Sequence, residues 1–136
     1  MKILLFALNA SFAHQALGVL TLASYINSRL PGAAEVLERS INDRDDEVFY
    51  ELYENSKNKK LIGFSCYIWN IEKMLKFAEN LKKLRPDIYI VFGGPEVSFY
   101  GEKEFCDLYP FADFLIKGEG EEKLFGLLGE LFSDRF

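Results

Sequence analysis

Four short segments of this 136-residue chain hold the residue types from which a binding or catalytic site could be built. They are Asn9 to Gly18, which carries Asn9, Ser11 and the only histidine, His14; Ser65 to Asn70; Gly93 to Tyr100; and Lys117 to Glu121. Ser65-Cys66-Tyr67 and Gly93-Gly94-Pro95 set a small hydroxyl residue and a glycine pair at the ends of two apolar runs. That pairing suits a ligand slipping between strands. Glycine lets a backbone come close to the ligand, and a serine hydroxyl can hydrogen-bond a ring nitrogen shut off from water. The same residues also read as a turn and as the cap of the next helix. The pattern alone leaves both readings open. Glu119 and Glu121 read as carboxylates favoured by a helix start rather than as catalytic acids, and no residue is given a catalytic role.

Several chemistries on comparable sheets need residues that these segments lack. A phosphoacceptor site would need acidic residues after the first strand and an Asp after the third, where Asn9-Ala10-Ser11 and Ser65-Cys66-Tyr67 stand. No GxxxxGK followed by Ser or Thr is present, and no GxGxxG follows the first strand. Gly118-Glu119-Gly120 comes late in the chain, and its glutamates would repel a phosphate. A flavin phosphate would want several hydroxyls after the first strand, where only Ser11 is found.

The elements that must position these segments alternate between strand-length apolar runs and helical periodicity. Lys2 to Leu8, Glu35 to Ile41, Leu61 to Cys66, Ile88 to Phe92 and Phe114 to Ile116 read as strands, the second polar enough for a sheet edge. Helices are expected over Ala16 to Arg29, around Val48, Phe49, Leu52 and Tyr53, from Ile71 to Leu84 ahead of Pro86, and through Leu124, Phe125, Leu128, Leu131 and Phe132. The pattern predicts an α/β fold: a flavodoxin-like, doubly wound five-stranded parallel sheet of order 2-1-3-4-5 in a Rossmann-like three-layer sandwich. Ligands of such sheets lie at the carboxyl ends of the strands, where all four segments fall. The aromatic residues Phe12, Tyr67, Trp69, Phe99 and Tyr100 would gather at that edge, to cover a ligand, dock a second domain or pack under loops.

The composition is 49% hydrophobic and 27% charged, enough for one ordinary core. A net charge of −5 gives no footprint for nucleic acid. The apolar run at Ile3 to Leu8 is too short to span a membrane. Cys66 and Cys106 form no metal-ligand spacing and imply a reducing compartment, so a cytoplasmic protein is expected.

Taken together, these strings resemble the B12-binding N-terminal domains of radical-SAM proteins. Ser65 and Gly93-Gly94 match the two later motifs of cobalamin-binding domains, with Tyr67 where those carry leucine. Gly93 to Ser98, Lys117 to Glu121, Ala7 to Ser11 with His14, and Tyr67 to Asn70 extend the likeness over essentially the whole chain, residues 1–136. The resemblance implies that the nucleotide tail of cobalamin lies between the central strands. By the same resemblance, cofactor contacts fall on Asn9, Ser11, His14, Ser65, Tyr67, Gly93, Gly94, Pro95, Gly118 and Glu119.

One element departs from the family pattern. His14 takes the place of the cobalt-ligating histidine, but Phe12 replaces the aspartate that would orient its ring, and Gly18 follows one residue late. Many radical-SAM relatives lack that histidine. The resemblance further implies a longer parent enzyme whose next domain holds S-adenosylmethionine and a 4Fe–4S cluster on a CxxxCxxC loop, which Cys66 and Cys106 cannot build. The parent would carry out methyl transfer or oxidative cyclisation, since such proteins are often labelled magnesium-protoporphyrin IX monomethyl ester oxidative cyclase. The alternatives are an FMN-binding electron carrier and a degenerate domain acting as an interaction module. A bulky residue at Gly94 is expected to close the cleft and leave the fold intact.

Overall fold

The computed structural model describes residues 2–10 and 17–132. Its strands are β1 (Ile3–Asn9), β2 (Ala34–Ser40), β3 (Leu61–Ser65), β4 (Tyr89–Gly93) and β5 (Phe114–Leu115). Its helices are α1 (Leu17–Arg29), α2 (Asp45–Ser56), α3 (Ile71–Leu84), α4 (Glu102–Leu108) and α5 (Glu121–Phe132), with a single 3-10 turn at Pro95–Val97. All strand pairs are parallel and the order is β2-β1-β3-β4-β5, as the alternation of elements predicts. β2 lies at the edge.

The pleat sends alternate residues of each strand to opposite faces. One face carries Phe6, Phe64 and Phe92, which stand side by side in register on β1, β3 and β4. Their rings meet edge-on between Phe6 and Phe64 (5.7 Å) and stacked between Phe64 and Phe92 (5.3 Å). Val48 and Leu52 of α2, Met74, Phe77, Ala78 and Leu81 of α3, and Phe105 of α4 close over this row. The other face carries Ile3, Leu5, Leu61 and Val91 under α1 and α5, which contribute Val19, Ala23, Ile26, Leu124, Leu128 and Phe132. The result is three layers, with a core on each side of the sheet.

α4 has no periodic stripe to announce it. Phe105 is its only buried residue, and seven residues are too few for a helical period to stand out. β4 runs one residue beyond the expected Phe92, so Gly93 is itself a strand residue paired with Ser65. Asp113 fixes the far edge: its carboxylate accepts the backbone N–H of Ile90 and the Lys82 ammonium, both at 2.8 Å. At the near edge the Asn27 amide donates to the Ala34 carbonyl (3.0 Å) and accepts its N–H (2.8 Å), tying α1 to the start of β2.

Because Phe64 sits at the centre of the aromatic row, Phe64→Ala should cost about 3–5 kcal/mol of folding stability. Urea denaturation would show it, and an unchanged midpoint would contradict the role given to that row.

Candidate functional site

The site follows from what stands opposite the phenylalanines. On the α1/α5 face, β3 presents only Leu61, Gly63 and Ser65, and β4 presents Tyr89, Val91 and Gly93. Two tiers result. Leu5, Gly63 and Val91 are paired across the sheet, and Ala7, Ser65 and Gly93 are paired one step nearer its carboxyl edge. Small residues at Gly63, Ser65 and Gly93 leave the middle of the sheet largely bare, with the Leu5 side chain lying against Gly63, where a Cβ would stand 3.0 Å from its Cδ2. Gly63 lies mid-strand in the central strand of five, yet it is only partly buried.

Above this floor α1 and α5 meet through the last turns of α1 and the first half of α5. Tyr25 meets Phe125 edge-on at 6.4 Å, and the Arg29 guanidinium lies over the Tyr25 ring at 3.6 Å. A cleft of about 450 Å³ opens between the helices and the floor. Val19 and Leu22 of α1 and Leu124 of α5 make its apolar walls. Its polar groups belong to the carboxyl edge: Ser65, Tyr67, Ser98, Glu119 and Glu121.

The loops around the mouth are held by backbone contacts. Cys66 donates its N–H to the Gly93 carbonyl at 2.8 Å, and Glu96 donates to the Cys66 carbonyl at 3.3 Å. Gly94 lies against the same peptide with φ 103°, and a Cβ there would stand 2.7 Å from the Cys66 nitrogen. This corrects the expectation for a bulky residue at that position. Gly94 is required by the packing of two chain segments, so a side chain there would disturb the fold before it reached the cleft. Gly93 differs, since its Cβ would meet nothing closer than the Ile116 carbonyl at 3.6 Å. Ser98 joins the last two loops, donating to the Gly94 carbonyl (2.9 Å) and accepting from the Gly118 N–H (3.4 Å).

Asn70 is the buried organiser of the third loop. Its Oδ1 accepts the Tyr67 N–H at 2.8 Å, and its Nδ2 donates to the carbonyls of Leu8 (3.0 Å) and Ser65 (3.3 Å). The Tyr67 ring stacks on Trp69 at 4.6 Å with planes 8° apart, and the Trp69 indole donates to the Leu8 carbonyl at 3.3 Å. Phe99 is 89% exposed, so it does not pack beneath a loop; Tyr100 leans on Phe105. Cys66 is fully buried, and burial, reinforced by the charge of Glu96, pushes its thiol far above the ordinary range. It is inert at neutral pH.

Of the residues expected at the site, Ser65, Tyr67, Gly93, Gly94, Pro95, Gly118 and Glu119 line this one cleft. Asn9 is not among its lining residues. It ends β1 opposite Ser40 and accepts the Ile41 N–H at 2.8 Å. Ser11 and His14, with Phe12, lie outside the described residues. Gly63 lies outside the segments singled out in the sequence, while Gly120 and Asn70 lie inside them but were not among the expected contacts. A glycine inside an apolar strand was the available signal for Gly63, since such a residue marks close approach by a ligand or another backbone.

A largely apolar cleft at the carboxyl edge of a doubly wound sheet lies where α/β domains of this class hold their ligands. The chain belongs to the B12-binding domain family, whose model matches residues 5–128. Over 84 residues it is 32% identical to the cobalamin-dependent radical SAM methyltransferase TokK of Streptomyces tokunonensis, taking in 62% of this chain and 12% of that protein. Over 74 residues it is 35% identical to the 2-(S-pantetheinyl)-carbapenam-3-carboxylate methyltransferase of Streptantibioticus cattleyicolor, covering 54% of this chain and 11% of that one. The chain thus spans only a small part of the curated relatives' length. Among solved structures, the radical S-adenosylmethionine methyltransferase TsrM of Kitasatospora setae superposes with a TM-score of 0.75 at 17% identity, over 99% of this chain and 26% of that chain. At that identity the likeness shows a shared fold. Among the described residues no helix is long and apolar enough to cross a membrane.

Replacing Asn70 by Leu removes three hydrogen bonds, one of them fully buried, and takes its partner from the Tyr67 N–H, while the Leu8 carbonyl keeps the Trp69 indole. A loss of about 1–3 kcal/mol is expected for each buried group left unpaired. Chemical denaturation measures it, and a variant as stable as the parent would show that Asn70 does not organise the loop.

Proposed function

We propose that this chain is the cobalamin-binding part of a longer radical-SAM enzyme, and that the cofactor's nucleotide tail enters the cleft beneath α1 and α5. The observation that carries the reading is the bare floor: Gly63, Ser65 and Gly93 leave open the strip of sheet that side chains would otherwise fill. The residues present fit such a group. Val19, Leu22 and Leu124 offer apolar walls to a planar ring, and Ser65 offers a hydroxyl for a ring nitrogen. Tyr67, Gly94, Pro95, Gly118 and Glu119 form the rim that the rest of the cofactor would meet.

Bound cobalamin supplies a cobalt centre able to carry a methyl group. The chain's own residues bind the tail, fix its depth and exclude water from the floor. His14 is proposed neither as an established cobalt ligand nor as a necessary one, because Phe12 supplies no carboxylate to orient it.

The relatives are several times longer than this chain and are named as methyltransferases, which supports a parent that transfers methyl groups. S-adenosylmethionine and an iron–sulfur cluster would belong to a further domain of that parent. FMN is not favoured, since the sequence between β1 and α1 offers its phosphate a single hydroxyl, Ser11, and no glycine.

Titration of the chain with hydroxocobalamin, followed by visible absorption, should show saturable binding, with none for FMN. Gly93→Leu, which places a side chain in the cleft, should weaken uptake at least about tenfold while the thermal midpoint stays within a few degrees. Uptake at the parent's affinity would place the tail elsewhere.

A further inference from the structure

The two tiers of the cleft differ in chemistry. The upper tier, at Ser65 and Gly93, sits beside the polar groups of the mouth. The lower tier lies about 7 Å deeper, two residues along the strands. It consists of Leu5, Gly63 and Val91, with Leu22 and Leu124 among the walls of the cleft. No side chain of that tier carries a hydrogen-bonding group. Gly63 lies in β3, which is paired on one side with β1 and on the other with β4, so its backbone groups belong to the sheet ladder. Whatever passes Ser65 therefore loses its water and finds no polar partner.

We propose that this lower tier selects among corrinoids by the polarity of the tail base, accepting an apolar benzimidazole and rejecting a purine. The inference rests on the tail entering the cleft as proposed above, and it adds a ligand class. A dimethylbenzimidazole can give Ser65 one ring nitrogen and present only carbon to Leu5 and Val91. Adenine carries further ring nitrogens and an exocyclic amine. On entering the lower tier, these would be stripped of water without replacement, which is costly for each group left unpaired.

The test compares three corrinoids by visible titration against the same chain: cobalamin, its analogue bearing adenine in place of dimethylbenzimidazole, and cobinamide, which has no nucleotide tail. Cobalamin should bind at least about tenfold more tightly than the adenine analogue. Val91→Thr, which adds a hydroxyl to the lower tier at nearly constant volume, should narrow that gap, with circular dichroism confirming the fold. Equal affinity for the two tailed corrinoids would overturn the selection and leave corrinoid binding standing, as would an undiminished gap in Val91→Thr. Cobinamide binding as tightly as cobalamin would overturn it too, by showing that the tail contributes nothing. If no corrinoid binds, the proposed function fails along with the selection.

Discussion

Everything at the site depends on the row of Phe6, Phe64 and Phe92 across the three central strands. A parallel sheet covered on both faces would ordinarily bury large side chains on each side. Here one face does so with three aromatic rings in register, closed over by α2, α3 and α4. The opposite face of β3 and β4 is thereby free to carry Gly63, Ser65 and Gly93 at the positions next along the chain. A cavity normally weakens a core, because its walls lose packing partners. In this fold the large aromatic side chains of β3 and β4 pack on the far side of the sheet, away from the opening, while Leu61 and Val91 join a second core on the cleft side.

The second constraint is steric and belongs to the mouth. Gly94 and the Cys66 peptide are pressed together so closely that the ends of β3 and β4 behave as one piece. Asn70 then binds that piece to the end of β1 through the Leu8 carbonyl. Ser98 draws in the loop before α5. The loops that carry Tyr67, Pro95 and Gly118 are therefore held by hydrogen bonds between segments distant in sequence, which fixes the rim before any ligand arrives. Preorganisation of this kind lowers the entropic cost of binding.

The sheet was legible in the sequence because its signals are strong and local. Apolar runs such as Ile3 to Leu8 and the stripe on α3 leave little choice of element, and the parallel order follows from their alternation. Seven of the ten expected site residues came together for a related reason: strand ends carry the turn chemistry, and turns are written in glycine and proline. The meaning of Gly94 was not legible. Its neighbour is the backbone of Cys66, a contact that depends on how two loops cross and that no pattern in the sequence records. Asn70 was hidden likewise, since a polar residue before a helix looks like an ordinary cap until the Leu8 carbonyl is seen beside it. Gly63 could have been read, but one glycine in an apolar strand competes poorly with the flanking leucine, isoleucine and phenylalanine.

The closure of α1 against α5 by Tyr25, Arg29 and Phe125 has a consequence for how such a domain can change over time. With α1 and α5 joined through Tyr25, Arg29 and Phe125 and the aromatic row packed behind the sheet, substitutions in the open half of the cleft, at Ser65 or Gly93, bear less on folding than those at Leu5, Val91 or Gly94. Lineages can therefore enlarge, narrow or reline that half while the scaffold persists, and a copy that has lost its ligand would still fold and remain heritable. The architecture separates what selection must preserve to keep a protein from what it may rewrite to give that protein new work.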